Sequence, residues 1–123
     1  MEYSVTIKET SKELSKRERI ALKETTAMNS IDAISQIDND LTFDVEYYAI
    51  LEIHNEKAKD NTDYENLVIH ATNGEFYYTG SKSFIKSFIN IATEMGDEAF
   101  GIKVYRRPSK NYANKEFISC TIV

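Results

Sequence analysis

The chain has 123 residues, of which 41% are hydrophobic and 28% are charged, and its formal net charge is −5 at pH 7. This length and composition predict one soluble domain, residues 1–123, with enough apolar side chains for a core. They exclude a membrane-spanning segment, because no apolar run approaches the ~20 residues that a span requires. The acidic balance also argues against binding of duplex nucleic acid through global positive charge.

Two further features indicate the compartment. The opening residues Met1–Val5 lack the basic region and apolar stretch of a secretory signal. The chain has a single cysteine, Cys120, which lies in an apolar strand pattern, where a thiol behaves as a small hydrophobic side chain. We therefore expect a cytoplasmic, reducing location.

The N-terminal third predicts one strand and one or two helices. Tyr3–Ile7 alternates apolar and polar residues, as a half-buried strand does. Thr10 or Ser11 is placed to cap a helix that runs to Lys23 or Glu24. A second short helix is expected from Ser30, since isoleucines recur every three residues after it.

The middle of the chain predicts a long strand followed by a hairpin. In the strand from Phe43 to Ile53, alternation assigns one face to six residues: Phe43, Val45, Tyr47, Ala49, Leu51 and Ile53. Tyr64–Ala71 and Glu75–Thr79 are the two arms of the hairpin. The dipeptide Asn73-Gly74 between the arms predicts a tight turn, because both residues tolerate positive φ.

The remainder predicts a helix and a second hairpin. Ser81 caps the helix, an apolar stripe follows it, and Gly96 is placed to end the helix in a left-handed conformation. Two strands, Phe100–Arg106 and Glu116–Val123, flank a loop. Gly101 within the first of them marks a bulge, a bend or a close backbone approach.

This element order fits two architectures. One is mainly β, an OB-fold five-stranded barrel with a helix between strands 3 and 4 and an extra N-terminal helix. The other is a ferredoxin-like α+β fold with an added strand, which accounts better for the first helix. We favour the barrel because the second half of the chain is rich in strands and ends in a long hairpin.

Nothing in the sequence favours catalysis. His54 and His70 are far apart, with no cysteine or carboxylate at a metal-ligand spacing. The four glycines form neither a P-loop nor a dinucleotide-binding motif. We therefore expect no metal, no cofactor and no enzymatic activity.

The strongest functional signal is a basic, tyrosine-bearing segment at residues 100–123. It holds five bases and one acid, a charge of +4, which leaves −9 for residues 1–99. Cations that follow phosphates and flat rings that stack on bases are what a single strand of nucleic acid requires. Adjacent tyrosines in the other strands point to opposite faces, so one of each pair leaves the core. The candidate DNA-binding residues are Tyr47, Tyr48, Tyr77, Lys103, Tyr105, Arg106, Arg107, Lys110, Tyr112 and Lys115.

Four stretches give the chain a family likeness. The segments Tyr105–Tyr112 (YRRPSKNY) and Phe117–Val123 (FISCTIV) resemble small single-stranded DNA-binding proteins of tailed phages that infect Gram-positive bacteria. Leu51–Ala58 (LEIHNEKA) and Val5–Leu14 (VTIKETSKEL) add to the resemblance. It implies an OB-fold, a homo-oligomer such as a dimer or tetramer, and a role in phage DNA replication or recombination in the host cytoplasm.

The resemblance also implies where DNA lies and where this chain departs from related activities. DNA would follow the strands that carry Tyr47 or Tyr48 and Tyr105, and the loop Arg107–Lys115. Cellular proteins of this activity recruit replication and recombination partners through a flexible acidic tail, whereas Thr121–Val123 has a strand pattern.

The alternative function is an acidic accessory module that binds, recruits or inhibits a host enzyme.

Overall fold

The computed structural model of the protein describes residues 3–24, 27–37, 41–55, 63–108 and 116–123. Within these ranges the protein is mainly β: three helices pack on a mixed sheet that curls strongly into a half-barrel. The helices are α1 (Lys16–Leu22), α2 (Ile31–Ile37) and α3 (Lys82–Met95). The strands are β1 (Tyr3–Thr10), β2 (Asn29–Ser30), β3 (Thr42–Asn55), β4 (Asp63–Ala71), β5 (Phe76–Thr79), β6 (Phe100–Pro108) and β7 (Glu116–Ile122). None of the helices in the described ranges has the length and apolar character that crossing a membrane requires.

The central element of the sheet is β3. The strand order is β2-β5-β4-β3-β6-β7, with β1 also paired to β3. Because β4 pairs along most of β3, the short ladder with β6 and the longer ladder with β1 share the other side of β3. All these ladders are antiparallel except the two-residue pairing of β2 with β5. One strand therefore joins the N-terminal part of the chain to the C-terminal hairpin.

A β-bulge interrupts β3. Val45 pairs with Ala71 and Tyr47 pairs with His70, so two steps along β3 match one step along β4. Glu46 is the extra residue. Because the side chains of a strand alternate between faces, one extra residue exchanges the faces of everything that follows it. The prediction that one face of β3 holds all the odd-numbered residues from Phe43 to Ile53 is therefore wrong.

The exchange of faces gives β3 a role in two separate cores. Before the bulge, Phe43 and Val45 belong to the core that contains the buried residues of α3, here called the α3 core; after it, Ile50 belongs to this core and Tyr48 packs against it. The α3 core also includes Leu67, Ile69, Tyr77, Phe84, Phe88, Ile102, Val104, Ile118 and Cys120. The α1 core, on the other face, includes Leu22, Ala49, Leu51, Ile53 and Val68, with Val5, Ile7 and Leu14 packed against it.

Helix α3 begins and ends where the sequence predicts, and it shields an edge of the sheet. The Ser81 hydroxyl accepts the N–H of Phe84, and Gly96, with φ +59°, ends the helix. A turn is present before β5 as predicted, but its central residues are Thr72 and Asn73, because the Gly74 N–H donates to the Ala71 carbonyl. Gly74, with φ +90°, is the residue that follows them. Along its side, α3 donates a hydrogen bond from the Ser83 hydroxyl to the carbonyl of Ile118, 2.9 Å away. Because β7 lies at the end of the strand order, this contact covers part of an open edge.

The N-terminal region differs from the prediction. Strand β1 extends to Thr10, so the helix does not begin at Thr10 or Ser11. It begins after Ser15, whose hydroxyl accepts the N–H of Glu18 while the Glu18 carboxylate accepts the N–H of Ser15. This capping box lowers the pKa of Glu18, and Lys12 nearby lowers it further. The short strand β2 was not predicted, because two residues show no alternation.

Candidate functional site

Three outward-facing side chains of β6 form the centre of the candidate site. Ile102 and Val104 are fully buried in the α3 core. Alternation therefore places Lys103, Tyr105 and Arg107 on the opposite face, where both cations are exposed and the tyrosine is half-buried. Successive members of this row lie roughly 6.6 Å apart along the strand. The strand thus presents two cations with an aromatic ring between them.

The middle and the end of this row are in direct contact. The guanidinium carbon of Arg107 lies 4.7 Å from the centroid of the Tyr105 ring, within the range of a cation–π interaction. The contact keeps a flat ring and a positive charge side by side. A nucleotide needs this pair of partners, since its base stacks and its phosphate is negative.

Phe117 extends the row across the hairpin. It pairs with Arg107, lies on the same face, and is 37% exposed. Because Ile118 and Cys120 are buried in the α3 core, alternation along β7 turns Phe117 outward. Phe117 is not among the residues predicted from the sequence, although the alternation of apolar residues along β7 indicates its outward position. We call Lys103, Tyr105, Arg107 and Phe117 the basic face.

Arg106 does not belong to the basic face. It lies on the inner side of β6, half-buried, and its Nη2 donates a hydrogen bond to the carbonyl of Asp32, 3.3 Å away in α2. The Asp32 carboxylate in turn accepts the Thr79 hydroxyl at 2.5 Å. Arg106 therefore links β6 to α2 and β5, and we withdraw it from the proposed phosphate contacts.

Tyr77 and Tyr48 lie in the α3 core rather than beside the basic face. The Tyr77 ring is 7% exposed and stacks on Phe43, with 4.2 Å between the centroids and 5° between the planes. Tyr48 meets Phe88 edge to face at 5.0 Å. Since this core is on the opposite side of the sheet from Tyr105, neither ring joins a continuous stacking surface with it. We withdraw both tyrosines from the interface.

The Tyr47 ring is covered on two sides. It is 5% exposed, and the His70 ring lies 4.8 Å away while the Lys12 ammonium lies 4.5 Å from its centroid. It offers no open face to a base in this conformation, so it too is withdrawn. The remaining candidates, Lys110, Tyr112 and Lys115, lie outside the described residues.

Gly101 is required by a close approach within the sheet. A Cβ at this position would lie 2.5 Å from the Asp44 Oδ1 and 3.2 Å from the Phe43 carbonyl oxygen. A side chain at this position would therefore require the Asp44 carboxylate to move aside and the Phe43 carbonyl to shift slightly. This contact fixes β6 against β3 just before the basic face begins.

The histidines and the cysteine have local roles. His54 Nδ1 lies 2.7 Å from the Asp63 carboxylate, and His70 Nδ1 lies 2.8 Å from that of Glu46. Over the described ranges, no group of three or more histidine, cysteine or carboxylate side chains is placed to hold a metal ion. Cys120 is buried, and desolvation raises the pKa of its thiol to about 12.

In comparisons with known proteins, no family model, no curated protein and no solved structure matches the chain. What the protein binds is therefore inferred from its own side chains.

Proposed function

We propose that this protein binds single-stranded DNA without sequence preference and catalyses no reaction. One observation carries the proposal. Near the end of a two-stranded ribbon, the Arg107 guanidinium lies on the Tyr105 ring and opposite the exposed ring of Phe117. An exposed phenyl ring beside a cation has no role in the core, and it suits a base next to its phosphate.

The energies are adequate for this function. Each stack of a base on an aromatic ring contributes roughly 1–3 kcal/mol. Two stacks, on Tyr105 and Phe117, together with phosphate contacts from Lys103 and Arg107, approach the ~8 kcal/mol of a micromolar complex. Because every base has a π face, stacking of this kind does not select a sequence. The segment that holds Lys110, Tyr112 and Lys115 adds cations and another ring to the same hairpin.

The proposal includes an OB-type architecture. Strand order β5-β4-β3-β6-β7, with α3 between β5 and β6, supports an OB-type barrel whose strands are β3 to β7. In that assignment β1, α1, β2 and α2 are N-terminal additions. OB-folds use the loop between their fourth and fifth strands to bind oligonucleotides. The corresponding connection here, between β6 and β7, follows directly from the basic face.

The biological setting is part of the same proposal. The segments that resemble phage single-stranded DNA-binding proteins support a role in phage DNA replication or recombination, in the cytoplasm of the infected bacterium. A homo-oligomer, a dimer or tetramer, would align several basic faces along one strand. Effective concentration then makes the affinity of the assembly exceed that of each face.

The test is an anisotropy titration of a labelled oligo-dT at two salt concentrations. We compare the wild-type protein with the double variant Lys103→Gln/Arg107→Gln. For single strands, log K falls with log salt at a slope of about −0.7 per phosphate contacted. Loss of two contacts should weaken binding at low salt and make the slope shallower by about 1.4.

The control is Lys16→Gln/Arg17→Gln, which changes the net charge equally on exposed positions of α1. It should retain the wild-type slope. A duplex of the same sequence should bind far more weakly than oligo-dT. If the two double variants lose the same affinity, the effect is one of net charge and the basic face is not the interface. If the wild-type protein binds no oligonucleotide, the proposed function fails.

A further inference from the structure

A second concavity, which we call the acidic cleft, lies at the other end of β6. Its volume is about 380 Å³, within the usual range of ligand sites. Three aromatic side chains line it, those of Tyr47, Tyr48 and Phe100. Charged groups also line it: Lys12 after β1, Glu46 at the β3 bulge, and Asp97 and Glu98 in the turn after α3. The cleft therefore combines aromatic rings with an excess of negative charge.

The cleft already holds a cation on one of its rings. The Lys12 ammonium lies 4.5 Å from the centroid of the Tyr47 ring and 3.2 Å from the carboxylate of Glu18. Lys12 is exposed, and only displacement of its ammonium from these two contacts would uncover the Tyr47 ring face. This contact shows that the face of the Tyr47 ring can hold a positive charge.

The charge of the cleft also favours a positively charged ligand. Three carboxylates and one ammonium give its lining a formal charge of −2. Asp97 and Glu98 are exposed, and Glu46 is oriented by His70, whose Nδ1 lies 2.8 Å from its carboxylate. Burial raises the pKa of Tyr47 and Tyr48, so both hydroxyls stay neutral and the rings stay good partners for a cation. A nucleic acid would be repelled here.

We propose that the acidic cleft binds an arginine or lysine side chain from a basic segment of a partner protein. The incoming cation replaces the Lys12 ammonium over Tyr47, and the carboxylates of Asp97 and Glu98 surround its charge. Phe100 packs against the α3 core, on the opposite face of β6 from the basic face. Along the strand it is about 10 Å from Lys103 and about 23 Å from Arg107. The cleft and the basic face are therefore separate sites.

The experiment is an NMR titration of the ¹⁵N-labelled protein with the peptide acetyl-Gly-Arg-Gly-amide. Amide shifts should concentrate at Tyr47, Tyr48 and Phe100 and saturate at millimolar peptide. Asp97→Asn/Glu98→Gln should weaken binding at least threefold. Lys12→Met should strengthen it at least threefold, because it removes the competing ammonium and one positive charge. A merely nonspecific attraction to an acidic protein would gain far less from that change.

The matched control is Glu24→Gln/Glu52→Gln, which alters two exposed carboxylates that do not line the cleft. It should leave the peptide affinity unchanged. Shifts spread over the whole surface, equal losses in the two double variants, or unchanged affinity in Lys12→Met would overturn the proposal. Oligo-dT binding should survive Asp97→Asn/Glu98→Gln, so failure of the cleft is distinguishable from failure of the proposed DNA-binding function.

Discussion

Arg107 and Phe117 are direct partners across the β6–β7 ladder, and their side chains share the outer face of the ribbon. The guanidinium that covers Tyr105 therefore has an exposed phenyl ring as its neighbour. The two rings belong to different strands but flank one charge. A surface of this kind has testable consequences that differ from those of a merely basic patch.

Phe117→Ala should weaken oligo-dT binding by about 5- to 150-fold, since a stack contributes roughly 1–3 kcal/mol. The loss should persist at high salt, because stacking is not screened. Phe117→Tyr keeps a flat ring and should bind nearly as well as the wild type. Anisotropy titrations at two salt concentrations measure this. Equal weakening by both substitutions would show that the ring does not stack.

Tyr105→Ala should cost a similar factor, with a second effect on Arg107. Without the ring beneath it, the guanidinium loses its cation–π contact and samples more rotamers. Tyr105→Phe preserves both the ring and the contact and is the matched control. Quenching titrations with oligo-dT at high and low salt test this. A loss confined to low salt would indicate an electrostatic role for this position rather than stacking.

Substitutions of Arg106 and Arg107 should affect different properties: the first lowers the free energy of unfolding, and the second weakens DNA binding. Arg106→Ala removes the hydrogen bond to the Asp32 carbonyl and should lower the free energy of unfolding by about 1 kcal/mol. For a domain of this size, Tm should then fall by roughly 4 °C. Arg107→Ala, at an exposed position, should change the free energy of unfolding by less than about 0.5 kcal/mol. Thermal melts together with oligo-dT titrations decide; equal effects on Tm would contradict the assignment.

Gly101→Ala should destabilise the protein by about 1–3 kcal/mol, because the new methyl group meets Asp44 and the Phe43 carbonyl. Asp44→Ala removes the nearer of these atoms and should restore part of the loss in the double variant. Restoration stays incomplete, since the Phe43 carbonyl remains. Urea unfolding of both single variants and the double variant measures the coupling. Strict additivity would exclude this contact as the cause.

Cys120 should react slowly with thiol reagents in the folded protein. Burial raises its pKa to about 12 from the ordinary 9.0, so the reactive thiolate is rarer at any given pH. At pH 8 the rate of reaction with Ellman's reagent should be far below that of the urea-unfolded chain. Between about pH 9 and 12, unfolding should become easier, because only the unfolded thiol ionises readily. A native rate equal to the unfolded rate would contradict burial of the thiol.

Local patterns in the sequence were sufficient for much of the fold. The Ser81 cap, the apolar stripe after it and Gly96 predicted α3 to within a residue, because each acts on its nearest neighbours. The position of the turn before β5 was predicted for the same reason, although its central residues are Thr72 and Asn73 rather than Asn73 and Gly74. The β3 bulge was not, since no residue type is specific for an extra step in one strand. Glu46 became recognisable only from the pairing of β3 with β4.

The predictions for the candidate site also fall into two groups: those that depend on local patterns and those that depend on contacts between distant residues. Alternation along β6 separates Lys103, Tyr105 and Arg107 from Arg106, but the sequence-based prediction placed all four in the interface. Tyr77 and Arg106 were misplaced, because their contacts join residues distant in sequence, Phe43 and Asp32. Residue type did not distinguish a tyrosine that stacks in the core from one that faces solvent. That distinction depends on the register between strands.

Strand β6 passes from the carboxylates around its first residue to the cations near its last. The charges near β6 therefore change from negative at its first residue to positive near its last. If the protein binds single-stranded DNA as proposed, this arrangement should steer the β6–β7 end toward the polyanion before contact. Added salt should then slow association more than it speeds dissociation. In the proposed complex the carboxylates at the start of β6 would lie away from the DNA, where they would favour the approach of a basic partner and disfavour that of a second nucleic acid.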